Sequence, residues 1–255
     1  MNGPLRVLLA AALLLAGIAP AAAERLVTSL STHQVMISSN FTGAELVLFG
    51  SIERDAATVP RRGGYDLIVT VIGPREGMVA RQKSRFLGIW TNIRSYTFDR
   101  APAYLAVLSN RPLDAIITSP DIASRMEIGL RNFPLSQANE MPPPEQFRDA
   151  LIRLRKERGL YREETSAITF LTPNLFRASI TIPAESELGS YEVDVKLFAD
   201  GTNIARTSSA LEIVKVGIEQ FVANSARDHA LLYGLATTLM ALLTGWFASI
   251  VFRRD

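Results

Sequence analysis

The sequence predicts a mainly β protein with one C-terminal transmembrane helix. We expect two exported domains of β-sandwich type joined by a helical connector, the sandwiches being immunoglobulin-like in one reading. Short β-rich runs follow one another from residue 26 to 108, separated by Gly, Asn or charged breaks. A helical stretch over 119–166 interrupts this pattern before strands return over 167–217. An uncharged segment follows over 230–252.

Residues 1–23 are typical of a secretory signal peptide. Arg6 precedes most of an apolar run over 5–19, and small residues lead to Glu24. Cleavage there leaves the body, 24–229, outside the cytoplasm. If the signal is retained, the chain crosses the membrane twice with the same body outside.

The predicted N-terminal β-rich domain covers 24–118. The glycine-rich break at 60–64 predicts a loop and Gly73–Gly77 a turn. The strands predicted around these breaks are Leu26–Leu30, Gln34–Ser38, Ala44–Ile52, Tyr65–Ile72, Val79–Phe86, a short one near Ile89–Trp90, and Tyr104–Leu108. Such regular punctuation favours antiparallel sheets.

The connector, 119–166, is predicted to hold a short helix within Ser119–Leu130 and a clearer one from Glu145 to about Arg158. In the second helix, Phe147, Leu151 and Leu154 recur at helical spacing and predict one buried stripe. Gly159 is placed to end it.

The predicted C-terminal β-rich domain covers 167–217. Residues Tyr191, Val193, Val195 and Leu197 alternate with charged neighbours, which predicts a half-buried strand, and Asp200–Gly201 predicts a hairpin turn. The run Gly189–Tyr191 resembles the tyrosine corner of immunoglobulin-like sandwiches. Residues 218–229 are predicted to connect the body to the membrane.

The segment 230–252 is long enough to cross a bilayer. Its 23 residues carry no charge, and at ~1.5 Å per residue they span the ~30 Å hydrocarbon core with some tilt. Arg253 and Arg254 follow, which places the tail 253–255 in the cytoplasm. We therefore expect a single-pass protein of the inner membrane with a periplasmic body.

Composition excludes several classes of function. The 27 basic residues nearly balance the 25 acidic ones, so no general nucleic-acid surface is expected. The chain has no cysteine and only two histidines, His33 and His229, which disfavours a metal centre or a cofactor. No nucleophile motif accompanies Asp228–His229, and scattered carboxylates are the sole support for a hydrolase. We expect no enzyme.

Three stretches resemble the alphaproteobacterial putative transmembrane protein family. They are Ser38–Gly43 leading into Leu48–Gly50; Gly73–Pro74 followed by Arg81, Lys83 and Gly88–Asn92; and Gly189–Val193 through Lys215–Gly217 to Tyr233–Gly234 and Gly245–Trp246. The resemblance covers nearly all of the mature chain. It implies a membrane topology and carries over no catalytic residue.

One candidate site is a cationic strand face. Arg81, Lys83 and Arg85 fall on the same side of the strand predicted over Val79–Phe86. The face either binds an anion or acidic partner, or is solvated and partly paired with Glu53, Asp55 or Asp99. Trp90 nearby is interpreted as a core aromatic, with an exposed docking residue as the alternative.

The other candidate site lies on the membrane helix, where small residues recur at Gly234, Thr238, Ala241 and Gly245. Such a face lets two helices approach closely, although small residues are also frequent along the whole span. We predict a non-catalytic accessory or scaffold protein whose helix packs on a multispanning partner or on itself. The alternative is a periplasmic binding or sensing module for an anionic ligand on the cationic face.

Overall fold

The computed structural model describes residues 24–54, 64–86, 88–135, 143–217, 222 and 225–252. The predicted signal peptide, the tail 253–255 and part of the predicted connector 218–229 lie outside the described residues. Strands dominate the described body, which confirms the mainly β prediction.

The first sheet has four antiparallel strands in the order β1-β3-β10-β9. Their bounds are β1 Arg25–Leu30, β3 Gly43–Glu53, β9 Ile168–Phe170 and β10 Leu175–Pro183. In β10 the inward residues, from Phe176 to Ile182 in steps of two, are fully buried while their neighbours are more exposed. Alternation of period two therefore builds one inner face.

The second sheet has six strands in the order β2-β12-β11-β4-β7-β8. Their bounds are β2 Gln34–Ile37, β4 Asp66–Ile72, β7 Leu105–Ser109, β8 Tyr161–Thr165, β11 Gly189–Ala199 and β12 Thr202–Lys215. The pairs β2–β12 and β7–β8 are parallel and the others antiparallel. The predicted hairpin turn is present, with positive φ at Asp200 and Gly201.

The two sheets share one hydrophobic core. Buried residues of both sheets belong to a single cluster, from Leu26 near the start of the body to Ile213 near its end. Strands from the two predicted β-rich domains also pair directly, β3 with β10 and β4 with β11. The prediction of two separate β-rich domains is thus not confirmed, because each region supplies strands to the other's sheet.

Gly50 leaves room in this core for the ring of Phe176. It lies opposite Phe176 in the β3–β10 ladder, and the phenyl ring covers it. A Cβ added at Gly50 would lie 2.2 Å from Cζ of Phe176. Only glycine fits beneath that ring without a shift of the neighbours.

A two-stranded ribbon leaves the larger sheet, formed by β5 Arg75–Phe86 and β6 Ile89–Pro102. Both strands are longer than the sequence indicates, and the predicted turn Gly73–Gly77 shortens to its first two residues. The ribbon continues the β4–β7 ladder through two backbone hydrogen bonds, from Gly73 N to Tyr104 O (2.8 Å) and from Ala103 N to Pro74 O (2.7 Å). It is therefore an extension of the sheet.

The described helices are α1 Leu113–Ile116, α2 Pro120–Arg125, α3 Glu145–Glu157 and α4 Ala230–Val251. Helix α3 ends as predicted before Gly159, whose φ is +71°. Its buried residues are Phe147, Leu151 and Ile152, whereas Leu154 is 50% exposed. The predicted stripe is thus wrong at Leu154, because α3 turns Ile152 toward the body instead.

Helix α4 corresponds to the predicted span. It is long and apolar enough to cross a membrane, and none of its apolar window is buried against the rest of the chain. Its apolar side chains therefore need a bilayer or another protein to cover them.

Candidate functional site

The β5–β6 ribbon brings the predicted cationic residues and Trp90 together. Arg85 lies directly opposite Trp90 in the ladder, Lys83 opposite Asn92 and Arg81 opposite Ser95. Directly opposed residues in an antiparallel pair share one face. The three cations are two residues apart along β5, so they and the tryptophan lie on one face of the ribbon.

Trp90 is exposed, which overturns its interpretation as a core aromatic. Its exposed fraction is 68%, equal to that of Ile89, and Ile93 is 58% exposed. The reason is the turn at Gly88, whose positive φ of +84° reverses the chain and puts the tryptophan at the far end of the ribbon. We call Ile89, Trp90 and Ile93 the apolar tip.

The cations around the apolar tip are not neutralised by the described part of the body. Arg81, Lys83, Arg85 and Arg94 are all exposed, and no carboxylate in the described ranges pairs with them. The predicted partners Glu53 and Asp99 therefore do not pair with this face, and Asp55 lies outside the described residues. Between Glu76 and Asp99 the sequence holds four cations and no acidic residue.

The base of the ribbon is fixed by α3. Met78 and Phe98 are buried with Phe147 and Leu151 in a small core of their own. Arg155 Nη2 donates a 2.7 Å hydrogen bond to Glu76 Oε1, which ties the helix to the start of β5. The ring of Tyr96 stacks at 6.0 Å on that of Phe147. The ribbon is thus packed at its base and uncovered at its tip.

A groove of about 450 Å³ runs between the ribbon and α3. Arg81 and Lys83 border it on one side and Arg153 on the other, while Phe147 and Leu154 supply apolar surface. Three cations beside an apolar wall suit an anion with an apolar portion. The sequence signal for this region is the stretch 77–98, which contains no acidic residue and includes the turn at Gly88-Ile89-Trp90.

The larger sheet carries a buried charge cluster that sequence reasoning missed. Asp194 and Lys196 on β11 are ion-paired and almost fully buried. Arg206 on β12 donates from Nε to Asp194 Oδ1 at 2.7 Å, which raises the pKa of the guanidinium through the hydrogen bond and the adjacent negative charge. All of these charges are partnered, so we interpret the cluster as structural.

The described residues contain no group of three or more His, Asp or Glu side chains placed to hold a metal ion. Glu163 and Glu164 lie on β8, where Arg162 Nη2 sits 2.5 Å from Glu164 Oε1. Both carboxylates therefore belong to a strand, and that of Glu164 is ion-paired with Arg162.

The predicted packing residues of the membrane helix, Gly234, Thr238, Ala241 and Gly245, lie in α4 and are exposed or nearly so. A Cβ added at Gly234 or Gly245 would meet no atom within 4 Å. Nothing in the described chain therefore explains why small residues stand there.

The family model described as putative transmembrane protein, Alph_Pro_TM, matches residues 25–254, which is nearly the whole chain. The chain belongs to this family. The match to Alph_Pro_TM includes α4 and the described body from residue 25 onward, and the family description together with α4 supports a membrane-anchored protein. No curated protein matches the chain.

Proposed function

We propose that this member of the Alph_Pro_TM family is a non-catalytic accessory or scaffold protein of the inner membrane. Its body is periplasmic, its C-terminus cytoplasmic, and α4 packs on a multispanning membrane protein or on a second copy of the chain. The observation that carries this proposal is α4 itself. It combines an uncovered apolar surface with a small-residue face that its own chain leaves open.

A small-residue face has a physical use in a bilayer. Lipid tails provide no hydrophobic driving force between helices, so association depends on close backbone contact and side-chain packing. Gly234, Thr238, Ala241 and Gly245 recur at helical spacing and would allow such contact along the span. The hydroxyl of Thr238 is already used, because Oγ1 donates to Gly234 O at 2.8 Å.

We also infer an immunoglobulin-like arrangement for the body. Strand order β1-β3-β10-β9 corresponds to A-B-E-D, and β12-β11-β4-β7 to G-F-C-C′, whereas β8 differs from C″ in pairing parallel to its neighbour. The hydroxyl of Tyr191 donates a 2.8 Å hydrogen bond to Glu187 O, as in a tyrosine corner. Such bodies often serve as contact modules, which agrees with the accessory role. An experimental structure of the body with a different strand order would refute the inference.

The test is a tagged pull-down from gently solubilised native membranes with three proteins. These are the wild type, Gly245→Leu and the control Ala236→Leu. Ala236 lies about two and a half turns before Gly245, on the opposite side of α4. We expect wild type and control to recover the same membrane protein, or a differently tagged second copy, and Gly245→Leu to lose it. Equal recovery with Gly245→Leu would refute helix packing through this face.

The second candidate is a periplasmic binding or sensing module for an anionic ligand. It is favoured by the cations Arg81, Lys83 and Arg85, which have no carboxylate partner in the described ranges. Binding through this face would weaken steeply with added salt, since the charges are exposed and screened within about 10 Å at 0.1 M ionic strength. Binding that ignores salt would count against this candidate.

A further inference from the structure

The apolar tip is an exposed patch with no function in the fold of the described chain. Ile89 and Trp90 follow the turn directly, on opposite faces of the ribbon, and Ile93 lies at the bulge further along β6. Large apolar side chains exposed on both faces of the ribbon near its turn mark a surface that binds something. The base of the same ribbon is buried against α3, so the tip is held in place rather than free to fold back.

The sheet register shows from which end of the body the ribbon leaves. β4 and β12 both pair antiparallel with β11, and both run toward its first residue, Gly189. β4 and β12 therefore end at the same end of the sheet. The ribbon follows β4 in the chain, and α4 follows β12 after residues 216–229. The opposite end carries the Asp200–Gly201 turn.

The length of the ribbon is suited to reaching away from that end. β5 contains 12 residues, which at ~3.3 Å per residue correspond to about 40 Å of extended strand. The membrane anchor and the apolar tip are consequently both connected to the same end of the body. A surface tethered in this way meets the bilayer at a high effective concentration.

The chemistry of the tip matches a bilayer surface better than an apolar protein groove. Tryptophan is enriched at the headgroup level of membranes, and aliphatic side chains beside it add apolar area that lipid can cover. Arg85 lies opposite Trp90, Lys83 and Arg81 continue the same face toward the base, and Arg94 lies on the other face opposite Gln82. Cations near an anionic lipid surface contribute about 1 kcal/mol each, and this contribution depends on salt.

We propose that the β5–β6 ribbon docks its apolar tip on the anionic surface of the membrane that holds α4. Trp90 and the two isoleucines enter the boundary between headgroups and acyl chains, and the four cations bind lipid phosphates. This inference rests on the anion-binding candidate and names its ligand as a lipid surface. It does not require a protein partner for α4.

The test uses the intrinsic fluorescence of the full-length chain in protein-free bilayers. The chain has two tryptophans, so Trp246→Phe leaves Trp90 as the sole reporter. This protein is reconstituted into vesicles of phosphatidylcholine alone, or of phosphatidylcholine and phosphatidylglycerol in equal amounts. Each preparation is made with and without a lipid that carries a quencher at the top of its acyl chain.

We expect the emission of Trp90 to shift to shorter wavelength and to be quenched by the labelled lipid in the anionic vesicles. Added salt should reduce both effects. The triple variant Arg81→Glu, Lys83→Glu, Arg85→Glu should lose them, whereas Arg177→Glu, an exposed cation of β10, should keep them. All substituted positions are exposed, and unchanged thermal unfolding will confirm that the body remains folded.

Two results would overturn the proposal. If labelled lipid does not quench Trp90 in either kind of vesicle, and a water-soluble quencher does, then Trp90 does not touch the bilayer. A blue shift and quenching of equal size in both kinds of vesicle, at low and at high salt, would show that the cations do not recognise an anionic surface. Because these vesicles contain no other protein, failure of the accessory role in the pull-down would leave this experiment unaffected.

Discussion

Asp194 and Lys196, two residues apart on one strand, form an ion pair in which the residues are only 1% and 5% exposed. Removing two charges from water is costly, and their mutual attraction offsets that cost only when further hydrogen bonds are made. Here Asp194 also accepts from Arg206 on β12. The cluster consequently connects β11 and β12, which are neighbours in the larger sheet.

Removing one charge of this pair should destabilise the body more than removing both charges together. Asp194→Asn leaves Lys196 charged and buried, and we expect a loss of about 3–5 kcal/mol in the free energy of unfolding. The double variant Asp194→Asn, Lys196→Met should lose less than the sum of the single variants. Denaturant unfolding of the full chain in detergent measures Asp194→Asn, Lys196→Met and the double variant. Strictly additive losses would contradict the coupling between the two residues.

Gly50→Ala should disturb the core through Phe176. The added methyl group would overlap the ring, and overpacking of this kind costs about 1–3 kcal/mol. Gly77→Ala is the matched control, because a Cβ at Gly77 meets nothing within 4 Å. Thermal unfolding should show a lower midpoint for Gly50→Ala alone. Combining it with Phe176→Leu should recover part of the loss, and no recovery would place the strain elsewhere.

Tyr191 should make the body sensitive to alkali. Burial raises the pKa of its phenol from 10.0 to about 12, so above pH 10 the unfolded chain releases a proton that the folded chain retains. Stability that is complete below pH 10 is then lost as the pH rises toward 12. Tyr191→Phe removes the hydrogen bond to Glu187, at a cost of about 1 kcal/mol at neutral pH, and should reduce the alkaline loss. Parallel pH profiles for variant and wild type would contradict this assignment.

The orientation of the chain can be tested with introduced thiols, because the natural sequence contains no cysteine. In intact cells with a permeable outer membrane, Glu185→Cys should react with a maleimide that cannot cross the inner membrane. Asp255→Cys should react only after lysis, since two arginines near it favour the cytoplasmic side. Labelling of residue 255 before lysis would reverse the proposed orientation.

Local patterns in the sequence predict most of the individual strands. The alternation through Tyr191, Val193 and Val195 corresponds to β11, and the uncharged 230–252 to α4. Both depend on properties of neighbouring residues, namely period two along a strand and length in a membrane helix. The turn at Asp200–Gly201 follows for the same reason. The predicted half-burial of β11 is wrong beyond Val193, because Asp194 and Lys196 are buried as an ion pair.

Relationships between distant residues could not be predicted in this way. Nothing in the patterns of β4 or β11 indicates that the two strands pair, so the shared sheets were missed. Trp90 was assigned to the core because large aromatic residues are usually buried. Its exposure depends on the projection of the ribbon beyond the sheet, which the register of many residue pairs determines.

The pairing of early strands with late ones also constrains how the protein is made. β3 and β4 gain their partners β10 and β11 only after more than a hundred further residues have been synthesised, and non-local contacts of this kind form slowly. During the export proposed above, the early strands would therefore present open edges that invite aggregation. The last strand is followed closely by the membrane anchor, so the body completes its fold only as the chain becomes tethered. We expect the newly exported half-body to be a client of periplasmic chaperones.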